Sequence, residues 1–545
     1  MVTRQERRWV FNFAIVVLII TSLPYVLGYW AQNDEWVFSG FVFGVEDGNS
    51  YIAKMLNGAA GDWLFRTPYT AYPQQGMVVY MPYLLLGKLV GGAARHEQML
   101  ALYQLFRWLG GFLSIWATYD FLALYVGEVR LRRWGTVLAT VGGGLGWLSV
   151  LGLQGLWHKG LALEFYSPET FGFLQVYGLP HLAVGRAMLL WGLRGYLLSS
   201  DALHPLRTGM KVGLFWVVLG LMQPMTVLIG WGVIGLHGLI VALVWRLGKN
   251  QLPDWARWRR SVTVAIGMGL VSAPLVLYTI VALQVDPQMR SWHAQNLILS
   301  PPVLDYILAF GLVLPLAWVG GRQLVTSRSW NGWLAVGWVC VFPFLAYAPY
   351  NLQRRLPEGV WVAWVALLVV GLMRVSQRWQ ERLLRFVYLP TVLSGVILVL
   401  GGAMLAVQRS PQVFRPAAEV QAYDFLAQNA QHGDVVLASF QVANYLAAWA
   451  PVRVVIGHGP ESANLRELSS RVNRFYSADG TDEERRLLLD EFSVRYVFWG
   501  PGERACPTQT DCVTWKSWNP AEANYLQLVY SSGAYQIFAV RRGWQ

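Results

Sequence analysis

The sequence predicts a polytopic α-helical membrane protein that ends in a soluble α/β domain. Of its 545 residues, 55% are hydrophobic and only 14% are charged, whereas soluble proteins carry about 25% charged residues. Apolar runs of about 20 residues, the length that crosses a bilayer, recur up to residue 410. The composition then changes to alternating helical and strand patterns. We therefore expect a transmembrane domain over 1–410 and a soluble domain over 411–545.

Hydropathy places about eleven membrane spans in the first domain. They are expected near 10–30, 99–126, 134–153, 181–200, 212–228, 230–246, 261–284, 302–320, 332–348, 359–374 and 386–407. With this list the basic clusters between spans fall on one side, and basic loops face the cytoplasm. The N-terminus is then cytoplasmic, and the C-terminal domain lies outside the plasma membrane. The first run is followed by no small-x-small cleavage site, so we expect it to remain as a span.

The apolar run 77–90 is interpreted as a helix in the outer interface rather than a span. It is short and contains Pro82 and Lys88. Counting it as a span would also place the basic segment Arg130–Arg133 outside. The first external loop therefore covers 31–98.

The C-terminal domain shows both periodicities of secondary structure. Apolar and β-branched runs predict strands at 434–438, 452–456, 494–498, 526–530 and 535–539. Amphipathic stretches predict helices at 419–429 and 483–491. Cys506 and Cys512 lie close together without the histidine pattern of a zinc site. Outside the cell they favour a disulfide, with two free thiols as the alternative.

Several functional classes are disfavoured by the sequence. The net charge of +12 comes with basic residues in short loops between spans, which is typical of cytoplasmic loops and not of a nucleic-acid surface. The phosphate-binding Gly-x-x-x-x-Gly-Lys-Ser/Thr and the zinc motif His-Glu-x-x-His are both absent. An ATP-driven machine is therefore not expected from this chain.

Two acidic pairs in the first external loop are the catalytic candidates: Asp34, Glu35, Glu46 and Asp47. A general base must be ionised and must reach the proton that it removes. Paired carboxylates also bind divalent cations together with phosphates, so a cation is a candidate cofactor. The alternative is that these are solvated loop acids, since Asp47-Gly48 is also a common turn dipeptide.

Four arginines are the candidate phosphate ligands. Arg354 and Arg355 break the positive-inside pattern, and the planar guanidinium suits phosphate. Arg186 and Arg107 lie within predicted spans, where ionisable groups are candidates for function. Binding to anionic lipid head groups is the alternative for the first pair, and snorkelling to the interface is the alternative for Arg186 and Arg107.

Polar residues near the outer ends of the spans predict a substrate cavity. The set is Tyr51, His181, Gln223, His293, Gln295 and Asn296. Gln223 precedes a proline in mid-span, where a break in the helix frees backbone groups. Ordinary hydrogen bonding and a simple kink are the alternatives.

The layout resembles the GT-C superfamily of integral-membrane glycosyltransferases, which use sugars linked to polyprenyl phosphate. The match rests on Asp34-Glu35 directly after the first span, as in protein O-mannosyltransferases. It also rests on an interfacial helix before the Arg107-bearing span and on an external domain after the last span. The strings at 47–55, 63–69, 351–355 and 454–458 are similar to a bacterial branch of that superfamily.

The resemblance implies inverting transfer of a hexosyl or pentosyl group to a glycan, lipid or protein acceptor at the extracytoplasmic face. An acid of the first loop would deprotonate or orient the acceptor, and arginines would stabilise the departing polyprenyl phosphate. Position favours Asp34 or Glu35 as the base, while the branch-like string favours Asp47. Three other interpretations stay open: transfer of a preassembled glycan, transport of a lipid-linked substrate, and a non-catalytic scaffold. Transporters commonly contain inverted repeats, and none is visible in this sequence.

Overall fold

The structure is a computed structural model that describes residues 2–92, 95–247, 254–506 and 515–541. Helices dominate it. The α-helices are α1 Arg4–Ala31, α2 Val45–Ala59, α3 Met81–Gly87, α4 Arg95–Leu122, α5 Val129–Val141, α6 Gly172–Gly178, α7 Pro180–Leu198, α8 Pro205–Met222, α9 Pro224–Leu247, α10 Trp255–Val285, α11 Pro287–Gln295, α12 Val303–Phe310, α13 Leu314–Thr326, α14 Trp330–Ala346, α15 Val360–Leu372, α16 Gln377–Val407, α17 Ala417–Asn429, α18 Phe440–Trp449, α19 Leu465–Tyr476, α20 Asp482–Glu491 and α21 Pro501–Arg504. The strands are β1 Trp36–Phe38, β2 Phe414–Pro416, β3 Val435–Leu437, β4 Arg453–Val454, β5 Val494–Trp499, β6 Leu526–Ser532 and β7 Tyr535–Val540.

The chain divides into two compact units, each assembled from three segments. Unit 1 contains Met1–Pro24, Gln104–Ile280 and Leu297–Gly402. Unit 2 contains Tyr25–Tyr103, Val281–Asn296 and Ala403–Gln545. The whole of the predicted first external loop, 31–98, thus shares a unit with the C-terminal residues that the sequence assigned to a separate domain.

Five helices in the described ranges are long and apolar enough to cross a membrane: α1, α8, α9, α10 and α16. The α12–α13 pair makes a sixth if it is counted as one bent span. The predicted number of about eleven therefore stays a prediction. Helices α4 and α7 contain 28 and 19 residues, and each includes a buried arginine, Arg107 or Arg186.

Two predicted spans are interrupted. In place of a helix over 134–153, α5 ends at Val141 and short 3-10 turns follow. Three glycines stand directly after α5, and glycine disfavours continuation of a helix. In place of a helix over 302–320, the axis bends by 82° between α12 and α13. Pro315 stands in the first turn of α13, where its missing N–H is tolerated.

Close helix packing in unit 1 centres on α15. All but one of the 13 residues in this helix are buried. A side chain added at Gly320 of α13 would meet the Leu367 carbonyl oxygen at 1.9 Å. A side chain added at Gly371 would meet the Leu316 carbonyl oxygen at 2.1 Å. Glycine is therefore required on both helices, as is common where membrane helices approach closely.

The core of unit 2 is a five-stranded mixed sheet in the order β4-β3-β5-β7-β6. Its first three strands are parallel, whereas β5, β7 and β6 are antiparallel. All five predicted C-terminal strands are present, with β4 shorter than expected. The N-terminal strand β1 pairs with β2, so the first loop is joined to the chain after α16.

The predicted interfacial helix is α3, which has seven residues. At 1.5 Å per residue it is about 10 Å long and too short to cross a bilayer. It packs on α2, where the backbones of Gly58 and Leu84 and those of Gly87 and Met55 come together.

Candidate functional site

The N-terminal turn of α2 places two acids against the loop 457–462, within unit 2. Helix α2 follows Gly44, whose φ of 58° is left-handed, a conformation that glycine adopts without strain. The Oε1 atom of Glu46 accepts the Gly459 backbone N–H at 2.7 Å. The Oδ1 atom of Asp47 lies 3.3 Å from Nε2 of His458. The Asp47 side chain is 57% exposed and is therefore open to a substrate.

A buried polar network lies one and two helical turns further along α2. The Glu461 carboxylate accepts hydrogen bonds from Ser50 Oγ at 2.7 Å, Lys54 Nζ at 2.6 Å and Thr67 Oγ1 at 2.6 Å. Lys54 and Glu461 are 0% and 3% exposed. The Lys54 ammonium also lies over the Tyr80 ring at 4.4 Å. The charges of this pair are therefore compensated within the protein.

The spacing of Asp47, Ser50 and Lys54 explains why α2 turns this face to one loop. Residues three or four apart share a helix face. The loop is held by Ser462, whose Oγ accepts the backbone N–H groups of Gly457 and His458 at 3.0 and 3.1 Å.

Helix α18 supplies a second support for α2. Asn49 donates to the Asn444 side-chain oxygen at 2.8 Å. Asn444 in turn donates to the Glu46 carbonyl oxygen at 3.3 Å. The position of the catalytic candidates thus depends on residues more than 390 positions away in the chain.

Burial and charge act in opposite directions on the titrating groups of this network. Burial lowers the pKa of Lys54, and Glu461 offsets this shift only in part. Burial alone would raise the pKa of Glu461, but Lys54 and His458 outweigh it and hold that pKa below its usual value. Burial alone would lower the pKa of His458, but Glu461 and Asp47 outweigh it, so the pKa is raised.

The other acidic pair has different surroundings. Asp34 and Glu35 lie between α1 and β1, and both side chains are exposed. The Glu35 carbonyl oxygen accepts the Ala417 N–H at 2.8 Å, so its backbone has a role in joining β1 to β2. The structure thus ties Glu46 and Asp47, and not the side chains of Asp34 and Glu35, to the loop 457–462.

Two of the predicted phosphate ligands contribute to packing inside unit 1. Arg107 is 1% exposed. Its guanidinium donates to Gln104, Thr21, Ser22 and the Val176 carbonyl oxygen.

Arg186 is 2% exposed. It donates to Glu358 at 2.9 Å and to the carbonyl oxygens of Pro168 and Glu169. Neither buried arginine therefore presents an open guanidinium face to an incoming phosphate.

The other two arginines lie on the loop after α14. Arg355 forms an ion pair with the buried Glu169 at 3.3 Å. The Arg354 guanidinium lies over the Tyr166 ring at 4.6 Å. The Arg354 backbone N–H donates to the Ile298 carbonyl oxygen at 3.1 Å.

Arg354 lines a cavity of about 550 Å³ in unit 1. His158 and Lys159 add two further basic groups to its wall. The apolar part of the lining is formed by Leu161, Leu297, Ile298, Leu299 and Pro301. No carboxylate is among the described lining residues. A basic wall beside an apolar one suits an anionic head group attached to a hydrocarbon chain.

The predicted substrate-cavity residues are divided between the units. His181 and Gln223 belong to unit 1, and the other four belong to unit 2. The Tyr51 ring stacks on Tyr83 at 4.6 Å. Gln295 donates to the Ser462 carbonyl oxygen at 2.9 Å and accepts the Leu465 N–H at 3.1 Å. His293 and Gln295 both belong to the last turn of α11, and Asn296 is the C-cap of that helix.

Lys54 and Glu461 were not predicted as members of the network, nor were His158 and Lys159 predicted as members of the cavity. The spacing of Asp47, Ser50 and Lys54 on one face of α2 was the one available signal. His458 lay in the string 454–458 but had no assigned role.

Cys506 is disulfide-bonded, and its predicted partner Cys512 lies outside the described residues. Cys340 is a free thiol.

The predicted divalent cation has no ready site. Within the described ranges, no group of three or more His, Cys, Asp or Glu side chains is arranged to hold a metal ion. Glu46 and Asp47 each direct an oxygen toward a nitrogen of the loop, from Gly459 or His458. The possible divalent cation therefore stays a prediction.

Comparison with solved structures identifies the fold. The apo oligosaccharyltransferase of Archaeoglobus fulgidus matches with a TM-score of 0.53 and 12% identity, over 90% of this chain and 69% of that chain. The oligosaccharyltransferase AglB from Archaeoglobus fulgidus, in complex with an inhibitory peptide and a dolichol-phosphate, matches with a TM-score of 0.52 and 12% identity, over 91% of this chain and 70% of that one. Apo ArnT from Cupriavidus metallidurans matches with a TM-score of 0.50 and 15% identity, over 96% of this chain and 97% of that one.

The chain has the GT-C fold. The resemblance expected from the sequence is therefore confirmed at the level of the fold. With its apolar helices, this fold makes the chain a multi-pass membrane protein. No protein-family model matches the chain, and no curated protein matches its sequence.

Proposed function

We propose that this protein is a membrane glycosyltransferase that moves a sugar from a polyprenyl-phosphate-linked donor to an acceptor at the extracytoplasmic face. The observation that carries the proposal is the Asp47 carboxylate, exposed above a buried and charge-compensated network. A rigid support with one accessible acid is the arrangement that a general base requires. The fold supports the donor class, since AglB has been solved with a dolichol-phosphate.

In the proposed reaction Asp47 accepts the proton of the acceptor hydroxyl. The acceptor oxygen attacks the anomeric carbon, and the bond between that carbon and the phosphate oxygen breaks. Polyprenyl phosphate leaves with the bonding electrons. A single displacement of this kind inverts the anomeric configuration.

We assign the lipid phosphate to the basic cavity of unit 1, the cavity lined by Arg354, Lys159 and His158. Guanidinium and ammonium groups bind phosphate through charge-assisted hydrogen bonds. The leucines and Pro301 would contact the first isoprene units. Arg107 and Arg186 are left out of this assignment because both guanidinium groups are buried in helix packing. Arg355 is placed beside the cavity, where it holds the loop through Glu169.

The test is a transfer assay with the purified full chain, using radiolabelled polyprenyl-phosphate sugars and a cell-envelope extract as the source of acceptor. Asp47→Asn should lower kcat by at least about 100-fold, since general-base catalysis contributes 10²–10⁴-fold. The matched control, Asp34→Asn, should stay within about threefold of wild type, because in the proposed reaction Asp34 transfers no proton. Full activity of Asp47→Asn would refute the assignment of the base.

The cavity is tested with the same assay. Arg354→Gln should raise the donor KM by about tenfold, the effect of losing one charge-assisted hydrogen bond. Arg322→Gln, an exposed arginine of α13 in the same unit, is the control and should leave KM unchanged. An unchanged KM for Arg354→Gln would place the donor phosphate elsewhere.

Transfer of a preassembled glycan is the second candidate, because one structural neighbour is an oligosaccharyltransferase. The donor panel therefore includes lipid-linked oligosaccharides. Turnover of these donors alone would favour the second candidate, whereas turnover of monosaccharide donors alone would favour the first.

A further inference from the structure

We propose that His458 is a positioning residue that fixes the Asp47 carboxylate for catalysis. The inference rests on the proposed function, in which Asp47 is the base. It adds a contribution from the C-terminal segment: a residue of the loop 457–462 sets the orientation of an acid in the first loop.

The geometry of the pair supports this role. The His458 Nε2 atom lies 3.3 Å from Asp47 Oδ1. The His458 side chain is 7% exposed, against 57% for Asp47. An exposed side chain in the first turn of a helix would otherwise sample several rotamers. A buried donor limits the carboxylate to one orientation while its outer side faces solvent.

His458 is itself fixed from several directions. Its backbone N–H donates to Ser462 Oγ at 3.1 Å. Its ring lies against that of Tyr69, with centroids 5.4 Å apart. Its Nδ1 atom is 3.9 Å from Glu461 Oε1. Glu461 in turn accepts hydrogen bonds from Ser50, Lys54 and Thr67. The His458 imidazole therefore connects the buried network to Asp47.

The charges around the ring favour a proton on Nε2. The Asp47 carboxylate faces Nε2, and the Glu461 carboxylate lies on the Nδ1 side. The Lys54 ammonium, which forms an ion pair with Glu461, acts in the opposite direction and lowers the pKa of His458. Nε2–H therefore donates to Asp47 and holds the carboxylate in the orientation in which it accepts a proton from the acceptor.

Three substitutions separate positioning from simple packing. His458→Gln keeps an amide N–H near the place of Nε2. His458→Asn keeps the amide on a shorter side chain that does not reach Asp47. His458→Leu fills the volume without a donor. The matched control is His432→Gln, which alters the only other described histidine–aspartate ion pair, a contact of 3.2 Å between His432 and Asp62.

The readouts are kcat and the donor KM of the full chain, with hydrogen exchange of α2 and 457–462 as the test of folding. We expect His458→Leu and His458→Asn to lower kcat by about 10–100-fold, the scale for a misplaced catalytic group. The donor KM should stay within about twofold of wild type. His458→Gln should retain at least about one third of kcat, and His432→Gln should equal wild type.

Two results would overturn the proposal: a kcat for His458→Gln as low as that of His458→Leu in a folded chain, or a wild-type kcat for His458→Leu. If His458→Leu does not fold, the ratio between His458→Gln and His458→Asn decides in the same way. A wild-type chain without transfer activity, or a fully active Asp47→Asn, would instead refute the proposed function. An active wild type, an inactive Asp47→Asn and an unaffected His458→Leu would refute only the positioning role.

Discussion

Unit 1 and unit 2 each contain a buried ion pair between residues far apart in the sequence, and the two pairs differ in how completely their polar atoms are satisfied. In unit 2, both oxygens of Glu461 accept hydrogen bonds, one from Lys54 and Ser50 and the other from Thr67. In unit 1, Oε1 of Glu358 accepts from Arg186 and Gln175. Among the described residues, Oε2 of Glu358 and Nη1 of Arg186 have no hydrogen-bond partner.

The difference separates two uses of buried charge. In a fully satisfied pair no polar atom is left to bind a ligand. The Lys54–Glu461 pair therefore serves as a structural support for Asp47. A pair with unused polar atoms retains capacity for water or ligand, because buried polar groups in proteins are nearly always hydrogen-bonded. Glu169 links this pair to the loop after α14, because its carbonyl oxygen accepts from Arg186 and its carboxylate forms an ion pair with Arg355.

The largest expected effect follows from breaking the pair in unit 2. Lys54→Met or Glu461→Leu leaves one buried charge without its partner, which should destabilise unit 2 by about 3–5 kcal/mol. The double variant removes both charges and should recover much of that loss. Hydrogen exchange of α2 and 457–462 in the full chain measures both effects. Two single variants that keep wild-type protection would contradict the view of this network as a support.

A smaller effect is expected from the pair in unit 1. Glu358→Gln leaves Arg186 with the carbonyl oxygens of Pro168 and Glu169 as acceptors. We expect a loss of about 2 kcal/mol, the cost of one hydrogen bond to a charged group. Hydrogen exchange across α7 measures this loss, and Arg322→Gln is the neutral control in the same unit. A loss as large as that of Glu461→Leu would remove the distinction between the two pairs.

The smallest effect belongs to the exposed pair of His432 and Asp62, whose side chains are 40% and 20% exposed. The hydrogen bond to Asp62 raises the pKa of His432 above its usual value. Its contribution to stability is therefore present below about pH 6.5 and is lost as the pH rises through the raised pKa. Solvent screening limits it to about 0–1 kcal/mol. The unfolding temperatures of wild type and His432→Gln should differ slightly at pH 5.5 and coincide at pH 9. A larger difference at pH 9 than at pH 5.5 would contradict the expected direction of this pH dependence.

Local sequence determined the secondary structure where a long pattern was uninterrupted. The apolar runs behind α1, α9, α10 and α16 became helices because a span of that length satisfies its own backbone hydrogen bonds. Strands β5, β6 and β7 follow from β-branched and aromatic runs. The same reasoning failed at α5 and at the α12–α13 bend, where glycines and a proline outweighed the surrounding hydropathy.

Only the tertiary structure decided which polar groups meet. Lys54 and Glu461 are 407 residues apart, and Arg186 and Glu358 are 172 apart. The sequence predicted four loop acids and four arginines as candidates, with position favouring Asp34 or Glu35 as the base and the branch-like string favouring Asp47. The fold gives these candidates different surroundings. Asp47 contacts a buried network, Arg354 lines a basic cavity, and Arg107 and Arg186 are buried between helices. Composition and periodicity act over neighbouring residues, whereas the partner of a buried charge depends on how the whole chain returns to that point.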